Sequence, residues 1–353
     1  MESTSPQRSG VPTRSYPAVL GLILAMLAGV WAVPASAAPS AGAAGGSMVE
    51  GLLRARSAPP PAPAAPLKLY VEPGGPARAQ ATAWSGARPT DAGLIRRIAE
   101  QPQALWLGEW RTDVRGTVAR RVARAARAGR VPVLVAYNIP LRDCGQHSSG
   151  GAASGAAYRA WIGQLAAGIG AAPAIVILEP DALAGIDCLA RSDRRERIAL
   201  LKEAVGTLSA LPATALYVDA GNPSWVPAAR MAKRLRAVGV GRARGFAVNV
   251  AAFETTRRSR AYGRAISRRT GGVHFVIDTS RNGAGPAGAG DWCNPSGRAL
   301  GAFPTTVTGD PLVDAFLWVK RPGESDGTCN GGPPAGTWWP EYALDLARRA
   351  AGI

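Results

Sequence analysis

From Leu67 onward, this 353-residue chain repeats one pattern, a short apolar run followed by a more polar stretch. Eight runs are rich in β-branched residues: Leu67–Glu72, Ala104–Trp110, Val131–Asn138, Ala174–Asp181, Ala213–Ala220, Gly245–Ala251, His274–Thr279 and Ala315–Lys320. Thr117–Ala128, Tyr158–Gly168, Arg194–Ser209 and Pro227–Val238, lying between them, have helical spacing. Repeated strand–helix units predict a parallel sheet. Seven or eight such units fit a β/α barrel better than an open sheet.

In such a barrel the chemistry collects at the C-terminal ends of the strands. The runs end on Tyr137-Asn138, Glu179-Pro180-Asp181, Asp219, Asn249, Asp278 and Lys320. One or two of these could cap helices, but polar groups at the same end of four or more strands predict a site. Asp143 follows the third run, and Asp326 follows the eighth. Only two histidines, His147 and His274, are present, so a Ser-His-Asp mechanism would have to use one of them. No HExxH, P-loop or C-x-x-C motif occurs. Two positioned carboxyls are then the available acid–base machinery, and glycoside hydrolysis uses such a pair across an oxocarbenium-like transition state. The acid member needs a raised pKa, which a neighbouring carboxylate supplies by repulsion; Asp143 near Asp181 would be that arrangement.

The chain has ten tryptophans against five phenylalanines. Trp106, Trp110, Trp225, Trp292 and Trp318 fall at strand ends or in loops. Core packing is the ordinary fate of a lone Trp. Trp225 and Trp292, in Gly/Pro/Asn-rich loops beside candidate acids, are instead expected to offer flat faces to sugar rings. Strand-end carboxylates could also hold Mg²⁺ with Lys320 as a base, but the acids are not grouped with a second chemistry. No metal and no cofactor are expected. The formal charge is +17, and only four of the 41 basic residues are lysines. The arginines are spread over presumed helices such as Ala119–Arg130 without a reading element, so a solvated basic surface is expected and no nucleic-acid partner.

Residues 1–37 read as an export signal: Arg8 and Arg14, an apolar run from Ala18 to Val33, and Ala35-Ser36-Ala37 as a cleavage site before Ala38. The run is shorter than the roughly 20 residues that span a bilayer; an uncleaved anchor is the alternative. Residues 38–66, with Pro59-Pro60-Pro61, read as a linker, and 67–353 as one catalytic domain. A secreted monomer is expected, free of the membrane once the signal is cleaved. The four cysteines allow three pairings. Sequential pairing, Cys144–Cys188 and Cys293–Cys329, is preferred because each pair flanks a candidate site segment; free buried thiols fit an oxidising compartment less well.

Six collinear segments resemble glycoside hydrolase family 6, the inverting cellulases. They are Val135–Gly145, Ile175–Leu183, Tyr217–Gly221, Ile277–Gly283, Asp291-Trp292-Cys293 and Trp318–Gly327. The resemblance covers residues 67–350. It implies a distorted, incomplete α/β barrel of about seven to eight parallel strands and a β-1,4-glucan substrate. Asp181 resembles the proton donor. Asp143 resembles the neighbour that raises the donor's pKa and helps activate water, and Asp326 resembles the proposed base. Asp219 resembles a site carboxylate important for binding and charge balance, and Tyr137 the tyrosine that crowds the distorted sugar. Trp106, Trp225 and Trp292 resemble sugar platforms, and Lys320 and Glu324 resemble sugar hydrogen-bonding residues; Asn249 falls in the same substrate-binding group. The family's two disulfides fall at the sequential pairing.

Three positions depart from the family pattern: Asn222 where it has His, Ala252 where it has Asn, and Gly108 where an acid is common. These changes remove sugar hydrogen bonds and leave the acids in place. The stretches Asp143–Asp181 and Cys293–Cys329 are short, which resembles open-cleft endoglucanases. The expectation is a secreted endo-β-1,4-glucanase; an exo-acting cellobiohydrolase or a non-catalytic glucan-binding homologue remain the alternatives.

Overall fold

Seven of the eight apolar runs form one all-parallel sheet whose strands lie side by side in chain order. They are β1 (Leu105–Leu107), β2 (Val133–Ala136), β3 (Ala174–Leu178), β4 (Thr214–Asp219), β5 (Gly245–Val248), β6 (His274–Asp278) and β7 (Val313–Leu317). The structure is a computed structural model that describes residues 66–288 and 290–352. The expected export signal and the linker, apart from Pro66, lie outside the described residues.

Alternate side chains of each strand point to opposite faces, and here both faces are apolar. Val133, Val135, Ile175, Ile177, Tyr217, Ala247, Val276 and Leu317 form one buried cluster. Leu134, Val176, Leu178, Val218, Phe246 and Ile277 join the other, with helices packed over them. Two covered faces explain why the strands read as continuous apolar runs rather than alternating ones. No ladder joins β7 to β1, so the sheet is an incomplete barrel. Single bonds span the seam: Ala104 N–H to Trp318 O at 3.1 Å, and Trp106 Nε1 to Val319 O at 2.8 Å.

Two of the runs differ from expectation. Leu67–Glu72 contributes only one parallel bridge, Leu69 with Val131. β7 stops at Leu317 because the next amides turn away from the ladder: those of Val319 and Lys320 donate to the Asp278 carboxylate.

The four expected helical stretches appear as α3 (Val114–Arg127), α4 (Gly155–Ile169), α5 (Arg191–Ser209) and α6 (Ala228–Ala237). Four further α-helices are present among the described residues: α1 (Pro76–Trp84), α2 (Pro89–Ala99), α7 (Thr256–Arg269) and α8 (Pro340–Ala350). Helices α1, α2 and α8 build a third cluster around Leu300 and Trp318. Trp318, grouped by sequence with the strand-end tryptophans, is therefore a core residue. Helix α7 escaped apolar periodicity because small residues, Ser259, Gly263 and Ser267, form much of its buried stripe. A Cβ at Gly263 would lie 2.3 Å from the Phe275 ring, whereas Gly163 on α4 faces open space. The same substitution should therefore have opposite signs. Gly263→Ala should cost about 1–3 kcal/mol by overpacking, and Gly163→Ala should gain about 0.5–1 kcal/mol from helix propensity. Urea titrations of the two variants check this.

Candidate active site

Three buried carboxylates at strand ends organise the loops above the sheet. Each takes backbone N–H groups from a neighbouring strand's loop. Glu179, just past β3, accepts from the amides of Asn138 (3.0 Å) and Ile139 (3.1 Å) beyond β2. Asp219, ending β4, accepts from the amide of Asp181 beyond β3 and from that of Gly221, both at 3.0 Å. Asp278, ending β6, accepts from Ala251 beyond β5 (3.0 Å), from Lys320 beyond β7 (2.9 Å) and from Ser280 (2.9 Å). The loops thus held are tightly turned. Non-glycine residues with positive φ cluster here, among them Asp143 (55°), Glu179 (48°), Asp181 (69°) and Asn249 (68°). Such conformations cost of order 1–3 kcal/mol each and collect at functional sites.

The Asp143 loop is folded around Arg142. This buried guanidinium donates to the carbonyls of Tyr137 (2.7 Å), Ser148 (2.8 Å) and Ser149 (3.2 Å) and pairs with Glu109 at 2.7 Å. The Ser148 amide donates to Asp143 at 2.7 Å. The Cys144–Cys188 disulfide ties the loop to the segment after Asp181, and Cys293–Cys329 ties the two ends of the Asp326 region. Both bridges follow the sequential pairing.

Asp219, Asp143 and Asp326 each lie close enough to Asp181 to repel its charge. Asp181 sits at their centre. Burial and the charges of Asp219, Asp143 and Asp326 push its carboxyl well above the usual range, with Lys320 opposing. Burial pushes Asp219 up to about 7 against its backbone donors. Of this pair, Asp219 is the member whose charge those N–H groups stabilise, so the shared proton rests on Asp181. Burial also raises Asp143, with the Ser148 amide and Arg142 opposing. Asp326 goes the other way. Burial disfavours its charge, but Arg281 (2.8 Å) and Lys320 (3.1 Å) outweigh this and hold it at about 2. Asn294 exchanges two hydrogen bonds with Asp326, its amide donating at 3.0 Å and its side-chain oxygen accepting at 2.7 Å.

Trp225 and Trp292 are 47 % and 45 % exposed. Trp106 stands edge-on to Tyr137, ring centroids 5.1 Å apart. Glu324 is buried and paired with Arg321. Asn249 is fully buried; its side-chain amide donates to Asp278 O (2.8 Å) and its oxygen accepts from the Glu254 N–H (3.0 Å), which holds a loop. Gly108 has a steric reason, because a Cβ there would lie 2.4 Å from the Trp110 ring. His274 opens β6, at the opposite end from Asp278, and pairs with Asp314 at 2.8 Å. The ring nitrogen of His147 lies within 4.8 Å of the Cys293 and Cys329 sulfurs, which are bonded to each other and offer no thiolate.

Sequence reasoning gave no role to Glu179, Arg142, Asp278, Arg281 or Asn294. The strand-end position was a signal for Glu179 and Asp278. Nothing local marks Asn294 or Arg281, whose partners lie 32 and 45 residues away.

An incomplete parallel barrel with a cluster of carboxylates at its C-terminal rim defines a carboxylate-dependent α/β-barrel hydrolase. The chain belongs to glycosyl hydrolases family 6, whose family model matches residues 65–350. It is 49 % identical over 271 residues to Endoglucanase A of Cellulomonas fimi, covering 76 % of this chain but only 59 % of that protein. It is 46 % identical over 281 residues to Endoglucanase 1 of Streptomyces sp. (strain KSM-9), covering 77 % of each. The fold matches the endoglucanase Cel6 from Mycobacterium tuberculosis, solved with methyl-cellobiosyl-4-deoxy-4-thio-beta-D-cellobioside, at TM-score 0.78 and 52 % identity, covering 81 % of this chain and 98 % of that one.

The shifts set a stability profile. Glu179 and Asp219 titrate at about 7 when folded but at about 4.3 and 3.9 when unfolded. Between those values the folded chain holds more protons, so stability falls as pH rises from about 4 to about 7. The Asp326 contribution is present above about pH 4 and is lost as pH falls toward about 2. Calorimetry should give a higher Tm at about pH 5 than at about pH 8. Asp219→Asn, which keeps an acceptor for both amides, should shrink the difference.

Proposed function

We propose that this chain is a secreted, inverting endo-β-1,4-glucanase. The carrying observation is the raised carboxyl of Asp181, partly open to solvent and crowded by three other carboxylates. A carboxylic acid that keeps its proton near neutral pH can protonate a glycosidic oxygen as the bond breaks. Inversion needs a second carboxylate about 6.5–9.5 Å away to deprotonate a water on the opposite sugar face. Asp143 suits that role better than Asp326. Its pKa is raised, which makes it the stronger proton acceptor. Asp326, ion-paired twice, serves as a fixed charge that repels a second negative charge on Asp181. Trp106, Trp225 and Trp292 stack sugar rings, Tyr137 crowds the ring at the cleaved bond, and Lys320 and Glu324 bind sugar hydroxyls. Endo action is supported by the names of the relatives at 49 % and 46 % identity. Two disulfides fit an exported chain.

On carboxymethylcellulose, the parent should drop viscosity quickly while releasing few reducing ends. Asp181→Ala should lose at least about 10³-fold in kcat and Asp143→Asn about 10²-fold, with Asp181→Ala keeping a parent-like circular-dichroism spectrum. Parent-like rates in Asp181→Ala would remove the assignment.

A further inference from the structure

Beyond a minor electrostatic effect on Asp143, His147 has no part in the acid–base scheme, and it is exposed. It nevertheless packs against the loop that follows β7. Its ring sits where a Cβ on Gly327 would be, with the nearest atoms 2.5–2.8 Å from that position. Its centroid is 6.0 Å from that of Trp292, and its ring nitrogen is within 4.8 Å of both sulfurs of the Cys293–Cys329 bridge. The residues on each side of this contact hold the water-side carboxylates. On one side the next residue, Ser148, donates its amide to Asp143. On the other, Gly327 follows Asp326 directly, and its carbonyl accepts from the Asn294 side chain (2.8 Å), which also binds the Asp326 amide. In the sheet these loops follow β2 and β7, which flank the three-residue β1 and the seam that no ladder closes.

We propose that His147 is a positioning residue: its ring joins the Asp143 loop to the Asp326 loop across the barrel seam and sets the spacing of the two carboxylates. The role rests on the hydrolytic reading above. It requires the flat shape of the ring, because the contacts are with a glycine backbone, an indole and a disulfide. Gly327 is part of the same joint, since any side chain there would displace the ring.

The test uses the full chain and two substitutions, His147→Gly and His147→Phe, with two readouts. The first is steady-state kinetics on a soluble β-glucan. A misplacement of about 1 Å can cost up to about 10²-fold, so His147→Gly should lower kcat at least about tenfold with KM within about threefold. His147→Phe should return kcat to within about threefold of the parent. The second readout is hydrogen exchange, which needs no activity. His147→Gly should speed exchange in 143–150 and in 323–332 together, with Tm unchanged, and His147→Phe should reverse both. Parent-like kcat in His147→Gly, faster exchange in 143–150 alone, or no recovery with Phe would each overturn the proposal. A parent inactive on every β-glucan, with coupled exchange intact, would instead refute the hydrolytic reading and leave the mechanical joint standing.

Discussion

Buried carboxylates accepting backbone amides from the loop next door are the interaction on which the rest of this molecule depends. Glu179 holds the loop after β2, Asp219 the loop after β3, and Asp278 the loops after β5 and β7. A sheet positions its strands through its own ladder, but the ladder ends at the rim, where backbone polar groups need new partners. A carboxylate offers acceptors in several directions and can hold two loops at once. The tight turn at Asp181 follows from this, because its amide donates to Asp219; without that partner, left-handed backbone at a non-glycine residue would relax. The turn at Asp143 is held differently, by the Arg142 guanidinium on the surrounding carbonyls.

The same device sets the electrostatics. Acids placed at the rim for structural reasons surround Asp181 with negative charge in a poorly hydrated space. Repulsion and desolvation then act together on its proton. Arg281 and Lys320 ion-pair with Asp326, while Lys320 offsets only part of the repulsion on Asp181. Cations placed evenly among all four acids would have lowered every pKa and left no protonated acid. Confining the ion pairs to one member separates the cluster into a group that stays charged and a group that holds a proton. The strain and repulsion stored here are a stability cost at neutral pH of the kind functional sites commonly carry.

Much of this could be read along the chain. Both faces of the sheet are buried, so strands appear as apolar runs, and seven of eight runs were strands. Asp181 and Asp219 were legible because each ends or directly follows a run. Helices α1, α2, α7 and α8 were not assigned. In α7 the buried stripe is small rather than apolar, because Gly263 lets the helix approach the Phe275 ring, and periodicity of hydrophobicity cannot register a stripe made of serine and glycine. The strand-end position of Asn249 was legible, but its buried hydrogen bond to the Asp278 carbonyl, 29 residues away, was not.

What the sequence determined by itself is the repeating strand–helix unit, the end of the sheet that carries the acids, and which residue types are there, since all three follow from local periodicity and strand direction. What only the tertiary structure decided is which acid keeps a proton. That depends on distances between residues far apart in the chain, Arg281 and Asn294 to Asp326 and Asp219 to Asp181. Charge–charge energy in a desolvated cleft varies with those distances and with burial, and neither is encoded in any one segment.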